Sequence, residues 1–332
     1  MRKSYLPKLN AKLGEAKALG LVTADEIDDL LPCVVFGAGF GHTIPKQLAK
    51  NWGSNAPIAI DATALAATEA KSLFDEFMKM GVCVVPVVQA NPKRLSSPEI
   101  TAANAFQNGI CMNIPLNPSD GVLVNLARVQ HAFAGITLVP EDTDIVLDLG
   151  HLTAQIETVV SVVLRCLDRL PYADRWRNIF VGGSSFPHQP LYQLIAERGT
   201  KRLPRIEWYV FQRLLESDPK VEIGFCDETV CPINTTVPEV LRGPSANLRY
   251  STPDEFIVSK ARKKDGNQAF YSLCKTISES DDYFGPAYSL PDELLEKYAL
   301  KQTPGPGQST QWRMVDVGHH ILMTLEQVQN AS

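Results

Sequence analysis

The sequence has no apolar run long enough to cross a lipid bilayer. Its longest runs, residues 82–88 and 159–164, are far shorter than the roughly 20 residues that a membrane-spanning helix needs. The first residues, MRKSYLPKLNAK, also lack the apolar segment of a signal peptide. We therefore expect a soluble, cytoplasmic protein that does not contact a membrane.

Paired cysteines are missing as well. The chain has 7 cysteines, an odd number, and none of them forms a C-x-x-C pair. This pattern argues against a disulfide framework and against a zinc knuckle. We expect most of these cysteines to be small core residues.

An excess of positive charge is also absent. The formal net charge is −5 and the sequence pI is about 5.7. A protein that coats nucleic acid through its overall charge would be basic, so this class is disfavoured. A local basic groove stays compatible with the composition.

A repeat of short β-branched runs is what the sequence does contain. The clearest is DIVLDLGH at residues 144–151, an apolar run that ends in a carboxylate, a glycine and an imidazole. Seven similar segments bring the candidate strands to eight, centred near residues 7, 35, 60, 85, 113, 147, 181 and 224. Because helix-forming sequence separates most of them, we predict an α/β fold, a (β/α)8 TIM-like barrel with a large insertion after the eighth strand. A doubly wound open sheet is the alternative, although it normally has fewer strands.

The barrel prediction divides the chain into three parts. Residues 1–228 hold the eight strands and their helices, including predicted helices at residues 191–198 and 208–216. Residues 229–314 form an insertion that covers the barrel mouth, and residues 315–332 form the closing helix of the barrel. An insertion at this position lies at the rim where barrel enzymes build their sites.

Polar residues at the ends of the predicted strands are the first candidate site. They are Lys8 to Asn10, Asp61, Gln89, Asp148 with His151, Ser184 with Ser185, and Asp227 with Glu228. Asp61, Asp148 and Asp227 offer the hard oxygen ligands that Mg²⁺ or Mn²⁺ prefers. The same carboxylates can instead supply a general acid and a base, or cap the helices that follow the strands.

Two glycine-rich stretches follow strands. GAGFGH at residues 37–42 lacks the full dinucleotide-binding spacing, so we interpret it as a turn. GGSS at residues 182–185 follows the seventh strand, where barrel proteins often bind phosphate through backbone N–H groups. A plain tight turn is the alternative for this second stretch.

The predicted insertion and closing helix supply a second set of candidates. Arg249, Tyr250 and Arg313 are suited to an anionic ligand, since the guanidinium fork matches carboxylate or phosphate. His319 and His320 can act as acid, base or ligand, although packing or capping is the ordinary role of a histidine at such a place. We interpret residues 260–264 as a solvated loop.

Several short motifs occur in an order that resembles the beta protein family of phages and bacterial genomic islands. They are YLPKLNAKLGEAKAL, DLG after a buried strand, GSSFP, GFCDETVCP, NLRYST, YFGPAYSLPDELL and TQWRMVDVGHHILMTLEQV. The family's recurrent positions fall on Lys12, Gly14, Glu15, Asp148, Asp227, Arg249, Tyr250, Trp312, Arg313, His319 and His320. The chain departs from the family pattern at Glu228, where an aromatic is common, and at Pro291 with Asp292, where Gly-Asp is common.

The resemblance implies a barrel protein associated with phage or antiphage defence, without an assigned reaction. Two hypotheses follow. In the first, the protein is a metal-assisted or acid–base phosphodiester hydrolase that acts on nucleic acid or a nucleotide. Asp148 and Asp227 are then metal ligands or a base, and the proton donor is His151, His319 or His320. The substrate is held by Lys12, Glu15, Ser184, Ser185, Arg249, Tyr250, Trp312 and Arg313. In the second, the barrel mouth of a non-catalytic subunit holds a ligand or a partner effector protein. A homo-oligomer is expected by default.

Overall fold

The computed structural model describes residues 3–53, 56–89, 97–132, 139–153, 155–233 and 245–331. Eight parallel strands close into a barrel in the order β1-β2-β3-β4-β5-β6-β7-β9. These strands are β1 Tyr5–Asn10, β2 Cys33–Val35, β3 Ile58–Asp61, β4 Val84–Gln89, β5 Ile110–Pro115, β6 Thr143–His151, β7 Asn178–Ser184 and β9 Gly224–Asp227. Each of the eight predicted strand centres lies within one of them, so the barrel prediction is confirmed.

Helices accompany the strands of the barrel. They are α1 Leu13–Leu19, α2 Ala24–Ile27, α3 Ile44–Trp52, α4 Ala67–Lys79, α5 Pro98–Phe106, α6 Gly121–Ala132, α7 Ile156–Leu167, α8 Leu191–Leu194, α9 Ile206–Glu216, α10 Ala269–Ser278, α11 Leu290–Ala299 and α12 Ser309–Ala331. Local signals start some of them. The Ser97 hydroxyl accepts from Ile100 N ahead of α5, and the Ser289 hydroxyl accepts from Asp292 N ahead of α11. A serine before a helix satisfies an N–H group that has no partner within the helix.

Strand alternation places two apolar layers on the barrel wall. Residues such as Leu6, Val85 and Val146 form one buried cluster, and their neighbours Tyr5, Val84 and Ile145 belong to another. Successive side chains point to opposite faces of a strand, so the first set fills the barrel and the second packs under the helices. Parallel strands that are buried on both faces read as continuous apolar runs, which is the pattern of the sequence.

A second sheet lies outside the barrel. Its three antiparallel strands have the order β10-β11-β8, with β8 Gly199–Pro204, β10 Asn247–Ser251 and β11 Glu255–Lys260. Its side chains pack with α10, α11 and the start of α12 into a core of their own, which includes Leu248, Phe270, Leu295 and Trp312.

The structure differs from the sequence prediction at two points. The helix predicted at residues 191–198 ends at Leu194, and β8 follows it, a strand that the prediction missed. The partners of β8 lie far along the chain, for example Thr200 opposite Ser259, so local periodicity holds no sign of the pairing. Helix α12 begins at Ser309, ahead of the predicted start at residue 315.

Part of the predicted insertion, residues 234–244, lies outside the described residues. In the parts of the chain that the structure describes, no helix has the length and apolar character that a bilayer span requires.

Candidate functional site

Polar side chains form the inner layer of the barrel at the carboxyl ends of the strands. Lys8, Asp61, Gln89, Asn113 and Asp148 each follow an inward apolar residue by two positions. Lys8 Nζ lies 2.6 Å from Asp148 Oδ2, and Asn113 Nδ2 donates to the same oxygen at 3.2 Å. Gly150 N donates to Asp148 Oδ1 at 3.0 Å. Asp148 is thus surrounded by donors on both oxygens.

The pair of Lys8 and Asp148 is ionised. Burial raises the pKa of Asp148, but the Lys8 charge, together with the hydrogen bonds from Lys8, Gly150 and Asn113, outweighs burial and holds this pKa below its ordinary value. Burial likewise lowers the pKa of Lys8, and the Asp148 carboxylate brings it above its ordinary value. An ionised, paired carboxylate is a weak general base, so the main effect of Asp148 is to neutralise Lys8 inside the barrel.

The three predicted metal ligands have separate partners. Asp61 Oδ1 accepts from Thr63 N at 2.9 Å and from Thr63 Oγ1 at 2.5 Å. Asp227 lies on the outer face of β9, next in alternation after the inward Cys226. Within the described residues, no group of three or more His, Cys, Asp or Glu side chains could hold a metal ion. Binding of Mg²⁺ or Mn²⁺ stays a prediction.

Asp227 and His320 belong to a buried network behind the barrel wall. His320 Nε2 lies 2.8 Å from Asp227 Oδ2, His320 Nδ1 lies 2.7 Å from Ser251 Oγ, and Tyr5 OH donates to Asp227 Oδ1 at 2.8 Å. The order hydroxyl, imidazole, carboxylate resembles the triad of serine hydrolases. However, Asp227, Ser251 and His320 are at most 1% exposed, so this conformation offers a substrate no path to the hydroxyl.

His319 is enclosed in a similar way. Its Nδ1 lies 2.9 Å from Asp292 Oδ2 and its Nε2 lies 2.8 Å from the carbonyl of Ser251. The Tyr250 ring stacks on the imidazole with centroids 4.0 Å apart, and its hydroxyl donates to Asp292 Oδ1 at 2.8 Å. Trp312, also buried, stacks on Phe270. The structure therefore places four predicted site residues, Tyr250, Trp312, His319 and His320, in the contact between α12 and its neighbours.

Four other predicted residues converge on one cleft. Lys12, Glu15, Arg249 and Arg313 line a cavity of about 590 Å³ beside the start of α1, which we call the arginine cleft. Close packing of α1 on α12 builds one wall. A Cβ atom on Gly14 would lie 2.8 Å from Arg313 Cβ and 2.9 Å from Thr310 O, so a larger residue at position 14 would push Arg313 away.

The two arginines are held from different elements. Arg249, on β10, donates from Nη1 to Val230 O, and its guanidinium lies 4.9 Å from the centre of the Phe186 ring. Arg313, on α12, contacts Asp316 at 3.4 Å. Burial, and then the Arg313 charge, lower the pKa of Arg249 to about 10. The Nε atom of Arg249 is buried and has no hydrogen-bond partner in the structure.

Glu15 is a titratable group of the cleft near neutral pH. Burial raises its pKa to about 7, against the opposing charges of Arg313 and Lys12. Both the backbone N–H and the side-chain amide of Asn10 donate to its carboxylate. Its charge therefore changes in the physiological range, beside two cations.

His188 and Glu228 lie next to the arginine cleft. His188 lines the cleft, and its Nε2 lies 3.6 Å from Glu228 Oε2. Burial raises the pKa of Glu228. The predicted His151 lies edge-on to His188 with ring centroids 4.8 Å apart. Sequence reasoning missed His188, although its place in the loop after the seventh strand is a signal for the barrel rim.

The GGSS stretch is occupied by protein contacts. Ser185 N donates to Glu207 Oε2 at 2.9 Å, and Ser185 Oγ donates to Pro204 O at 3.0 Å. Ser184 Oγ is buried without a partner in the structure. In this conformation the N–H group of Ser185 is therefore not free to bind a phosphate.

We predict that His320→Ala lowers the free energy of unfolding by about 3 kcal/mol, because Asp227 then stays buried without its main partner. Urea denaturation at neutral pH measures the change. The control is His42→Ala, since His42 is exposed and surface substitutions usually change stability by less than about 0.5 kcal/mol. Equal urea midpoints for the two variants would contradict a structural role.

The sequence matches a known protein family over most of its length. No curated protein matches the sequence. Among solved structures, triosephosphate isomerase from Bartonella henselae is 13% identical with a TM-score of 0.40, and the match covers 68% of this chain and 92% of that chain. The family model described as Beta protein matches residues 5–326. The resemblance noted in the sequence is thereby confirmed, and this chain belongs to the Beta protein family.

Proposed function

We propose that the protein binds a phosphate-bearing anion in the arginine cleft. The observation that carries this proposal is the convergence of Arg249 and Arg313, from β10 and α12, on one cavity. Burial, and then the Arg313 charge, lower the pKa of Arg249 to about 10, and an anion between the two guanidinium groups relieves the repulsion between them. Arginine forks bind phosphate in a bidentate manner, and such charge-assisted bonds are about twice as strong as neutral ones.

The surroundings of the cleft support the same ligand. Lys12 adds a third cation at the start of α1, and the buried Arg249 Nε donor has no hydrogen-bond partner among the described residues. A buried donor that lacks an acceptor costs on the order of 1–3 kcal/mol, which a bound oxyanion offsets. A cavity of about 590 Å³ also has the size of small-ligand pockets, roughly 300–1,000 Å³.

We predict that Arg249→Gln and Arg313→Gln each weaken binding of pyrophosphate by about 10- to 100-fold, because each removes a charge-assisted contact. Isothermal titration calorimetry measures the affinity. Arg213→Gln is the matched control, since Arg213 is exposed and pairs with Glu157 and Glu216 outside the cleft. The proposal fails when wild type does not bind pyrophosphate, or when the control weakens binding as much as the cleft variants.

We also predict that the affinity of the arginine cleft for an anion falls as pH rises through about 7. Glu15 is neutral below its pKa of about 7 and negative above it, so rising pH adds repulsion next to the ligand. Asp316, with a pKa that burial raises to about 6, acts in the same direction at lower pH. Sulfate is the proper probe, since its own charge is constant in this range.

The expected loss of sulfate affinity is on the order of tenfold from about pH 6 to about pH 8. Glu15→Gln should remove the part of this loss that occurs near pH 7 and keep the part below it, which belongs to Asp316. A Glu15→Gln variant with the full wild-type pH dependence would rule out Glu15 as its origin.

Hydrolysis of a phosphodiester is the second candidate function, and the place of His188 favours it. His188 lines the arginine cleft and lies 3.6 Å from Glu228, and catalytic contacts are often long before a substrate binds. In this proposal His188 takes a proton from the attacking water, whose oxygen bonds to phosphorus as the ester P–O bond breaks, and the leaving oxygen then receives the proton that His188 carries. Glu228 positions the ring, as the carboxylate does in a triad. Arg249 and Arg313 stabilise the charge that develops on the phosphate.

We expect His188→Gln to lower kcat on nucleotide and oligonucleotide phosphodiesters by about 100-fold or more, with pyrophosphate affinity unchanged. Assays with Mg²⁺, with Mn²⁺ and with a chelator test the predicted metal dependence in the same series. His42→Gln is the matched control. Without turnover on any substrate, but with intact pyrophosphate binding, the protein is a binding subunit that holds its ligand for a partner. The role in a phage or antiphage defence module, the partner protein and a homo-oligomer stay predictions.

A further inference from the structure

A second, larger space adjoins the arginine cleft. Its volume is about 880 Å³, and it shares Arg249 and Arg313 with the cleft, together with Pro190, Leu191 and Ser309. Beyond these shared residues it continues to Lys260, Arg262, Lys263 and Lys264. We call this second space the basic groove.

The basic groove is strongly positive within an acidic chain. Of the residues that the structure describes, six Lys and Arg residues and one acidic residue, Glu197, line it, whereas the whole chain has 32 basic and 37 acidic residues. A concave surface lined by one sign of charge concentrates the field and attracts ligands of the opposite sign. The distribution of charge therefore indicates a ligand with several negative charges.

The positive wall is built into the sheet. Residues 260–264 were interpreted from sequence as a solvated loop, but Lys260 is only 7% exposed. Its Nζ donates to Ala196 O at 3.3 Å and to Glu197 O at 2.8 Å. Arg262 Nε contacts Asp265 Oδ2 at 3.3 Å across the short 3-10 helix that holds Lys263 and Lys264. These contacts hold Lys260 and Arg262 in place, and Lys263 and Lys264 follow them directly in the chain.

An exposed aromatic ring also lines the basic groove. Tyr192, in the short helix α8, lines the groove and is 55% exposed. His188, whose side chain is also exposed, lines the neighbouring arginine cleft. Proteins that hold single-stranded nucleic acid combine a positive groove for the backbone with rings on which bases stack. The carboxylate side chains of an acidic peptide do not stack on such rings.

Size favours a chain over a single nucleotide. Pockets for one small ligand measure roughly 300–1,000 Å³, and the cleft alone, at about 590 Å³, already has that size. The adjoining 880 Å³ is in excess of what one ligand of this class requires. A strand with a phosphate at every nucleotide places one phosphate between Arg249 and Arg313 and the following ones along the groove.

We propose that the basic groove binds a strand of single-stranded nucleic acid that continues from the phosphate site in the arginine cleft. This inference rests on the proposed function, because the first phosphate occupies that cleft. Lys263 and Lys264 contact the backbone, and Tyr192 stacks on a base.

Fluorescence anisotropy of a labelled 12-nucleotide oligothymidylate, measured over a series of salt concentrations, tests the proposal. We expect Lys263→Gln/Lys264→Gln to weaken oligonucleotide binding at least tenfold. The slope of log affinity against log salt should fall by about 0.7 for each lost phosphate contact. Pyrophosphate affinity, measured by calorimetry, should not change. The control is Lys46→Gln/Lys50→Gln on α3, with two exposed lysines outside the groove, which removes the same charge.

The possible results separate the two proposals. Tighter binding of the oligonucleotide than of pyrophosphate, lost in the groove variant and kept in the control, supports the strand. If pyrophosphate binds and the oligonucleotide does not bind more tightly, the proposal of a bound strand is wrong and the proposal of a phosphate site stands. Equal losses of oligonucleotide affinity in both lysine variants also overturn the proposal of a bound strand. So does a 12-residue oligoglutamate that competes as well as the oligonucleotide, which would indicate an acidic peptide as the ligand. When neither pyrophosphate nor oligonucleotide binds, both proposals fail.

Discussion

A buried carboxylate behind the barrel wall, Asp227, anchors the segment that completes the cleft. It accepts from Tyr5 of β1 and contacts His320 of α12, and His320 in turn contacts Ser251 of β10. One network thus joins the first and last barrel strands to the C-terminal helix and to the outer sheet. Buried polar groups tolerate little displacement, since an unsatisfied one costs more than a typical contact contributes. The place of Arg313 on α12 and of Arg249 on β10 follows from this anchoring.

Charge is distributed differently inside the barrel and beside it. Inside, Lys8 is neutralised by Asp148 at 2.6 Å, and the pair needs no ligand. In the arginine cleft, Glu15 has a pKa of about 7 and compensates its cationic neighbours only in part. The uncompensated charge therefore lies at the rim, where an anion from solvent can reach it. This difference is why the arginines, and not the strand-end carboxylates, carry the proposed function.

Most of the barrel was predictable because its signals are local. Runs such as residues 144–151 are apolar on both faces, and helix-forming sequence separates them, so neither feature depends on distant contacts. Strand β8 was missed because its pairing with β11 joins residues such as Thr200 and Ser259, which no local pattern connects. Among the site residues, Lys12 and Glu15 came from the family resemblance. Arg249 and Arg313 were also predicted from their guanidinium chemistry and their place in the chain, and the structure brings all four to one cavity. The resemblance pointed equally to His319 and His320, which the structure places in the core.

The sequence by itself determined the periodicity of strands and helices, and with it the barrel, since residue type and spacing set which faces are buried. Only the tertiary structure decided which polar residues meet. Asp61 and Asp148 each lie two positions after an inward-facing residue and so face inward. Asp227 lies one position after the inward-facing Cys226 and so faces outward. A shift of one residue moves a side chain to the opposite face of the strand. The face on which each carboxylate lies is therefore known only once the register of the strand is known. Likewise, the closeness of Arg313 to Arg249 depends on packing between α1, α12 and β10, elements that lie far apart in the chain and close together only in the fold.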